Sequence, residues 1–503
     1  MELSKIVSGY NLKIFGNLIT DVSGIEIDSK KVKKGNMFIC LVGGRADGND
    51  YVLEAIRNGA SVIVTDRKTV HNGVVTIEVD DTRKAYAYFS AAFFGFPSEK
   101  LVTIAIVGTN GKTTSSYLLK TVLEKAGKKV GVIGTLGVMI GSEKFESSMT
   151  TPDPFEMQKY LRKMVDSSID CVIIEVSAHA IFYNKTYGLH FNYSIFTNFS
   201  QDHLDFFKNM ASYFMTKLSF FTKDNVDVAV INSDDLLGRV LLTENVALAE
   251  TEYDLKRVNG KFYSLKRYFV EDYKGVSKIS YGIDNPSDVF LIDLKQDEKT
   301  SFIANCFDEI FKVESSLVGR YNAYNILGVI ALCKVMGIKT DKIVKGIEDA
   351  EQIEGRFNLI KVGNKKVVID FAHTEDGLKN LLEACKPLCS GRLICLFGAG
   401  GNRDKTKRAK MGKVASDKAD LIILTSDNPR YENPRSIISD IEKGVNKEYF
   451  VVENRLDAII FALSKMKEGD LLVIAGKGGE TKQEIGGIFY DFCDKNIVEK
   501  YLR

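Results

Sequence analysis

The chain has 503 residues, too many for one hydrophobic core, because cores stop growing beyond roughly 250 to 300 residues, so two to four domains are expected. A composition 45% hydrophobic and 27% charged with 7 prolines excludes a disordered chain, and a net charge of +2 gives no overall pull toward nucleic acid or a membrane surface. Eight cysteines without CxxC spacing exclude a disulfide framework and a zinc ribbon, and neither a signal peptide nor a run of about 18 apolar residues is present, so a cytoplasmic protein without membrane insertion is expected.

Residues 1–98 alternate short apolar strands (37–41, 61–65, 74–79) with helical stretches (51–58, 83–94), which predicts a small α/β domain. A second domain, 99–337, opens with the β-branched run LVTIAIVG from Leu101, then glycines, then a helix over 113–126. Strand, glycine turn and helix in that order begin a doubly wound nucleotide-binding sheet. Further strands are expected at 171–176, 193–197 and 228–232, and a helix over 321–336 closes the domain. The third domain, 338–503, repeats the pattern with strands at 366–370, 392–397, 421–425 and 471–475.

The strongest local signal is the run Gly108, Thr109, Asn110, Gly111, Lys112, Thr113, Thr114 at the end of the first central strand. A glycine loop lets successive N–H groups close around phosphate oxygens at a helix N-terminus, a lysine neutralises β/γ charge, and a following hydroxyl can hold Mg²⁺. Ile106 stands where a full Walker A pattern has its first glycine. Glu175 and His203 fall at or just after strand ends, the rim where ligands collect in an open α/β sheet, and suit a metal beside phosphates. Lys217 sits in the aromatic stretch YFMTKLSFF. In the third domain, Asp427, Asn428, Pro429 and Arg430 form a turn that ends in a guanidinium.

GTNGKTT resembles the loop of Mur ligases and folylpolyglutamate synthetases, and the likeness to Mur ligases extends along nearly the whole chain. It includes TTPD from Thr150, EVSAH from Glu175, TNFSQDHLD from Thr197, YFMTK ending at Lys217, GRYNAYN from Gly319, EGRF from Glu354 and DFAH from Asp370. The resemblance implies an α/β protein of three domains: a small N-terminal UDP-binding domain, a central P-loop-type ATPase domain and a C-terminal Rossmann-like domain. It implies ATP and Mg²⁺ as cofactors, with Lys112, His203 and Lys217 as catalytic residues. Thr113, Glu175, His203 and a carbamylated Lys217 would serve the metal. Asn322 and Asn325 resemble adenine contacts, Arg356 the hinge arginine, and Asp370 and His373 the ribose and phosphate contacts.

For the substrates, the resemblance implies a UDP-N-acetylmuramoyl dipeptide held by Ser29, in the Asp28–Lys30 turn, by the 43–48 loop, and by Thr150, Thr151, Ser177, Tyr183 and Lys185. Tyr183 and Lys185 stand where the family has Gln and Arg, and a lysine keeps the charge without the bidentate geometry. In the family's tripeptide synthetases the DNPR element goes with meso-diaminopimelate, since a guanidinium fork binds a distal carboxylate that lysine lacks. Arg403, Asp427, Asn428, Pro429, Arg430, Gly476 and Glu480 match that site, Arg430 being the discriminating residue. Other departures are Gly479, Ala178 and Phe371 for the family's His, Ser and Tyr. The expected activity is ATP-dependent addition of meso-diaminopimelate through an acyl phosphate, in a monomer. Lysine or another amino acid as substrate, a folate- or cyanophycin-type ligase, and a non-catalytic nucleotide-binding scaffold are the alternatives.

Overall fold

In a computed structural model of the chain, the described residues are 1–501 except 45, 148, 246 and 254–267. They divide into two compact units. The first comprises Met1–Ala105, Lys128–Ser194 and Ser219–Asp227; the second comprises Ile106–Gly127, Ile195–Leu218 and Val228–Arg503. Three strands, Val102–Val107, Phe191–Phe196 and Val226–Asn232, begin in the first unit and end in the second. Among the described residues no helix is long and apolar enough to cross a membrane.

The first unit opens with a five-stranded sheet whose inner strands, Asn36–Ile39, Val62–Thr65 and Val75–Glu78, are parallel. Their residues alternate between two cores. Met37, Ile39, Val62, Val64 and Ile77 pack on the helices Leu3–Val7 and Thr82–Phe93, while Phe38, Cys40 and Ile63 pack on Val52 and Ala55 of the helix Val52–Arg57. With both faces covered, each strand reads as a continuous apolar run. Asp81 caps the helix after it, accepting from the N–H groups of Arg83 and Lys84. Later in this unit, Cys171–Val176 lies parallel to Val130–Gly134, which turns back antiparallel onto Gly137–Ile140.

In the second unit the strand Val226–Asn232 is followed by Ser277–Gly282 and an antiparallel set of Val289–Gln296, Thr300–Cys306 and Glu309–Ser315. No strand was expected over this stretch, because its half-exposed strands intersperse charged residues among the apolar ones and lack the buried-run signature.

A six-stranded sheet completes the unit, its inner strands Lys365–Asp370, Leu471–Ala475, Leu393–Phe397 and Leu421–Leu424 parallel and neighbours in that order. Alternate residues again serve two cores. Val368, Cys395, Phe397, Leu424 and Val473 meet the helices Glu375–Cys385, Thr406–Lys418 and Pro434–Glu442; Ile369, Leu396, Ile423 and Ile474 meet Arg455–Lys465 and Asp494–Tyr501.

The last two helices are joined by a fully buried ion pair. Arg455 donates to both carboxylate oxygens of Asp494, at 2.9 and 2.7 Å, and to the Ala475 carbonyl at 3.1 Å, and both charged side chains are 0% exposed. Removing one partner strands the other charge in the core. Asp494→Ala is expected to lower unfolding free energy by about 3–5 kcal/mol, measured by urea denaturation; a loss under about 1 kcal/mol would show that Arg455 is satisfied without it.

Candidate active site

The phosphate loop lies in the second unit, between the last residues of the strand Val102–Val107 and the helix Lys112–Lys125. Gly111 has φ +85°, and a Cβ there would lie 2.4 Å from Asn325 Oδ1, so only glycine fits both the backbone and the space. The first-turn N–H groups of this helix have no intrahelical acceptor, which makes the loop an anion cradle. Lys112 Nζ donates to the Gly108 and Thr109 carbonyls at 2.9 and 2.8 Å.

The run after the strand Phe191–Phe196 braces this loop. Asn198 accepts from the Asn110 N–H at 2.9 Å and donates to its carbonyl at 3.0 Å, the Thr197 hydroxyl donates to the same carbonyl at 2.6 Å, and the Ser200 N–H donates to the Thr109 hydroxyl at 3.1 Å. Thr109 also meets Tyr213 OH at 3.1 Å and accepts from Lys217 Nζ at 3.3 Å. Lys217, on the helix Met210–Leu218, is 1% exposed. Burial, and after it the charge of Lys112, hold its ammonium well below the ordinary lysine range, against opposing pulls from Asp235 and Asp202. Burial likewise pushes the Asp235 carboxyl up to about 6.

The expected adenine contacts Asn322 and Asn325 are buried on the helix Arg320–Val335, Asn325 Nδ2 donating to Asn322 Oδ1 at 3.0 Å and Asn322 Nδ2 to the Val318 carbonyl at 2.7 Å. Arg356 reaches the Thr113 hydroxyl at 3.1 Å and stacks over the Phe371 ring at 4.5 Å. Asp370 accepts from the N–H groups of Phe357 and Ala372, both at 2.7 Å, so its carboxylate ties its own turn to the EGRF run. His373 Nδ1 faces the Phe371 carbonyl at 2.9 Å.

Five residues to which no role was given from sequence join this group: Asp202, Lys407, Asp376, Gln201 and Asp404. Asp202, 5% exposed, has Lys407 Nζ at 3.1 Å and the Nε2 atoms of His203 and His373 each at 3.4 Å. Burial pushes its carboxyl up, but Lys407 and then the two imidazoles outweigh that and hold it well below the usual carboxylate range. Asp376 accepts from Asn110 Nδ2 at 3.0 Å, and Gln201 donates to Asp404 at 3.1 Å. Asp202 and Gln201 stand inside the TNFSQDHLD run, whereas Lys407 carried no signal, because a lysine in a charged helix reads as solvated until its partner is seen. His203 itself has φ +57°, a backbone region most side chains avoid and one that recurs at functional positions.

The residues expected at the amino-acid site also lie in the second unit. Gly401 N–H donates to the Asn428 carbonyl at 2.9 Å and Tyr431 N–H to Asn402 at 3.1 Å, which ties the 398–404 loop to the DNPR turn. Gly476 has φ +113°, and a Cβ there would sit 2.4 Å from Asp427 Oδ2. Glu480 accepts from Asn428 Nδ2 and from the buried Lys477, both at 2.8 Å. Arg430 donates to Glu484 at 3.0 Å and to the Gly401 carbonyl at 2.8 Å, while Arg403 is exposed. Lys477 and Glu484 were not singled out from sequence.

In the first unit, four of the expected acceptor contacts come together. Thr150 meets Thr135 at 3.1 Å, Thr151 donates to the Glu175 carbonyl at 2.7 Å and accepts from the Ser177 N–H at 3.1 Å, and Lys185 pairs with Asp153 at 2.8 Å. Tyr183 lies under the Arg83 guanidinium at 4.3 Å. The Glu175 carboxylate, 0% exposed, accepts from the Thr135 hydroxyl at 2.9 Å and N–H at 3.2 Å. Ser29 stands apart from this cluster, its buried hydroxyl donating to Glu54. Of the 43–48 loop, Arg45 is outside the described residues.

A glycine loop closing on a helix N-terminus, with a lysine and a braced threonine, defines an α/β protein that binds nucleotide phosphate. Three family models match: "Mur ligase family, catalytic domain" over residues 21–94, "Mur ligase middle domain" over 106–261 and "Mur ligase, glutamate ligase domain" over 355–478. Curated relatives align end to end, among them the UDP-N-acetylmuramoyl-L-alanyl-D-glutamate--2,6-diaminopimelate ligase of Clostridium botulinum, 38% identical over 100% of both chains. A solved structure of a ligase of that name is 26% identical with a TM-score of 0.67, covering 100% of this chain and 98% of that one. The fold is also that of MurF ligase from Thermotoga maritima in complex with ADP, 18% identical, TM-score 0.59, covering 92% and 96%. The chain belongs to the Mur ligase family, with that family's three domains, and is an amide-bond-forming ligase.

Proposed function

We propose that this ligase uses ATP to join meso-diaminopimelate to UDP-N-acetylmuramoyl-L-alanyl-D-glutamate in peptidoglycan precursor synthesis, as a cytoplasmic monomer whose domains span 1–98, 99–337 and 338–503. The observation that carries the amino-acid assignment is Arg430, held beside Asp427 and Asn428 with its guanidinium only partly used by the protein. The names of relatives that align over the whole chain point the same way.

The γ-phosphorus of ATP is attacked by a carboxylate oxygen of the acceptor's D-glutamate, and ADP leaves. The amino group of the second substrate then adds to the acyl carbon, phosphate departs with its electron pair, and the ammonium proton is lost. No protein nucleophile is consumed; the chain positions the groups and supplies charge, as in phosphoryl transfer generally. Lys112 faces the phosphates, and Asn322, Asn325, Arg356, Asp370 and His373 form the remainder of the nucleotide site. Thr150, Thr151, Ser177, Tyr183 and Lys185 serve the acceptor.

Mg²⁺ fits the donor set of the second unit. Among the described residues no three His, Cys, Asp or Glu side chains gather as a metal cage, and Mg²⁺ is normally held by few protein groups together with phosphate oxygens and water. Thr113, His203 and a carbamylated Lys217 would hold it there, Glu175 remaining a candidate on the resemblance, and its contribution would be neutralisation of developing phosphate charge.

Wild-type protein supplied with ATP, the acceptor and a panel of amino acids should release phosphate with diaminopimelate and about a hundredfold less efficiently with lysine, because lysine leaves the guanidinium without its carboxylate. Arg430→Ala should lose most of the diaminopimelate kcat/KM while lysine use stays level or rises. A wild type that prefers lysine, or a variant that loses both substrates equally, rejects the assignment.

A further inference from the structure

On the reading that Arg430 meets the far carboxylate of the diamino acid, we propose that Glu484 is a positioning residue for that guanidinium and thereby sets the affinity for the amino acid. The hairpin of Lys482–Ile485 and Ile488–Asp491 is laid along the DNPR turn residue by residue. Gln483 Nε2 donates to the Asp427 carbonyl at 2.6 Å, and the Glu484 N–H donates to Asn428 Oδ1 at 3.0 Å. The Arg430 N–H donates to the Glu484 carbonyl at 3.1 Å, the Arg430 carbonyl accepts from Gly486 at 2.6 Å, and Arg430 forms a parallel bridge with Ile485.

Arg430 is held in an unfavourable conformation by these contacts. Its φ is +53°, the left-handed region that side chains bearing a Cβ avoid, and such a residue persists where its surroundings over-determine it. Glu484 supplies both parts of the restraint: its carbonyl fixes the Arg430 backbone, and its Oε2 accepts from Arg430 Nε at 3.0 Å.

The guanidinium is therefore gripped on two sides and open elsewhere. Nε serves Glu484, one N–H of Nη1 serves the Gly401 carbonyl at 2.8 Å, and among the described residues Nη2 has no partner. That leaves Nη hydrogens for a planar carboxylate, with the plane of the fork already set. The Arg430 and Glu484 side chains are 22% and 20% exposed, sheltered enough for the pair to hold its geometry. Without the Glu484 carboxylate, the guanidinium keeps only the Gly401 carbonyl, and an incoming ligand must itself order the side chain, which weakens binding and leaves the bond-making step alone.

The test is steady-state kinetics of the full chain with Glu484→Ala, Glu484→Gln and each combined with Arg430→Ala. Glu484→Ala should raise KM for diaminopimelate about tenfold with kcat within about threefold, while KM for ATP and for the acceptor stays put. Glu484→Gln keeps an oxygen for Nε and should recover most of that KM. In the Arg430→Ala background, Glu484→Ala should add nothing, since its effect passes through Arg430. An unchanged KM in Glu484→Ala, a rise shared by all three substrates, no recovery in Glu484→Gln, or a full effect in the Arg430→Ala background each overturns the proposal. A wild type that adds lysine in preference overturns the reading of the site and this proposal with it; a wild type that prefers diaminopimelate confines any failure to Glu484.

Discussion

Lys112→Ala is expected to lower the ligation rate by about a thousandfold or more, the scale of removing a preorganised charge from a phosphoryl-transfer site. The other groups of the loop are neutral amide donors and hydroxyls, so Lys112 is its one cation between Gly108 and Thr114. Its Nζ rests on the Gly108 and Thr109 carbonyls, within the curl of the loop where β/γ-phosphate oxygens are to lie. Folding should survive the substitution, because the loop is braced independently by Thr197, Asn198 and Ser200 and the helix by its own backbone. Phosphate release measured beside the melting temperature separates the two effects. An alanine variant that ligates at the wild-type rate removes the loop from the ATP site. Lys112→Arg, which keeps charge but not shape, should fall between the two, since a compact ammonium and a planar fork are not interchangeable beside phosphate.

Lys217→Ala is expected to lose about a hundredfold to a thousandfold in kcat, and to regain part of it when short carboxylic acids are added. The basis is the state of the amine. With Lys217 1% exposed and Lys112 nearby, the charged form is disfavoured by burial first and by like charge second. An unprotonated amine is the form that adds to CO₂: the nitrogen lone pair bonds the carbon, a proton leaves, and a carbamate anion results. The Lys112 charge that opposes an ammonium here favours that anion, so one arrangement promotes both the deprotonation and the product. Because protonation reverses the addition, activity should fall as pH is lowered, and bicarbonate should oppose the fall. Mass analysis of the native protein without a carbamate, together with full activity of Lys217→Ala, would sink the proposal.

Much of the fold was legible because the signals were local. The strands Cys171–Val176 and Leu471–Ala475 fall at the residues expected, and most other buried parallel strands lie within one or two residues of expectation, since a strand covered on both faces must be apolar throughout. The strands over Ser277–Ser315 and the hairpin Lys482–Asp491 were not legible for the complementary reason. Their strands mix charged and polar residues with exposed apolar ones such as Ile292, Ile303 and Ile310, and in the hairpin Ile488–Asp491 is exposed along its whole length while Ile485, on the other strand, bridges to Arg430, distant in sequence.

The sequence by itself determined the class of chemistry: GTNGKTT between a buried strand and a helix, the DNPR turn, and the residues from Glu175 to Lys217 in their order. Each is a short run whose meaning depends on backbone geometry within a few residues. Tertiary structure alone decided which charges pair. Asp202 collects Lys407 and two histidines, Lys477 fixes Glu480 and Asn428, and Glu484 grips Arg430, although the partners are separated by up to 205 residues. A charged residue in a sequence has no marker of its partner, because solvation is the default for each alone; only packing that removes water from both, at hydrogen-bond distance, turns two surface-like residues into one functional pair.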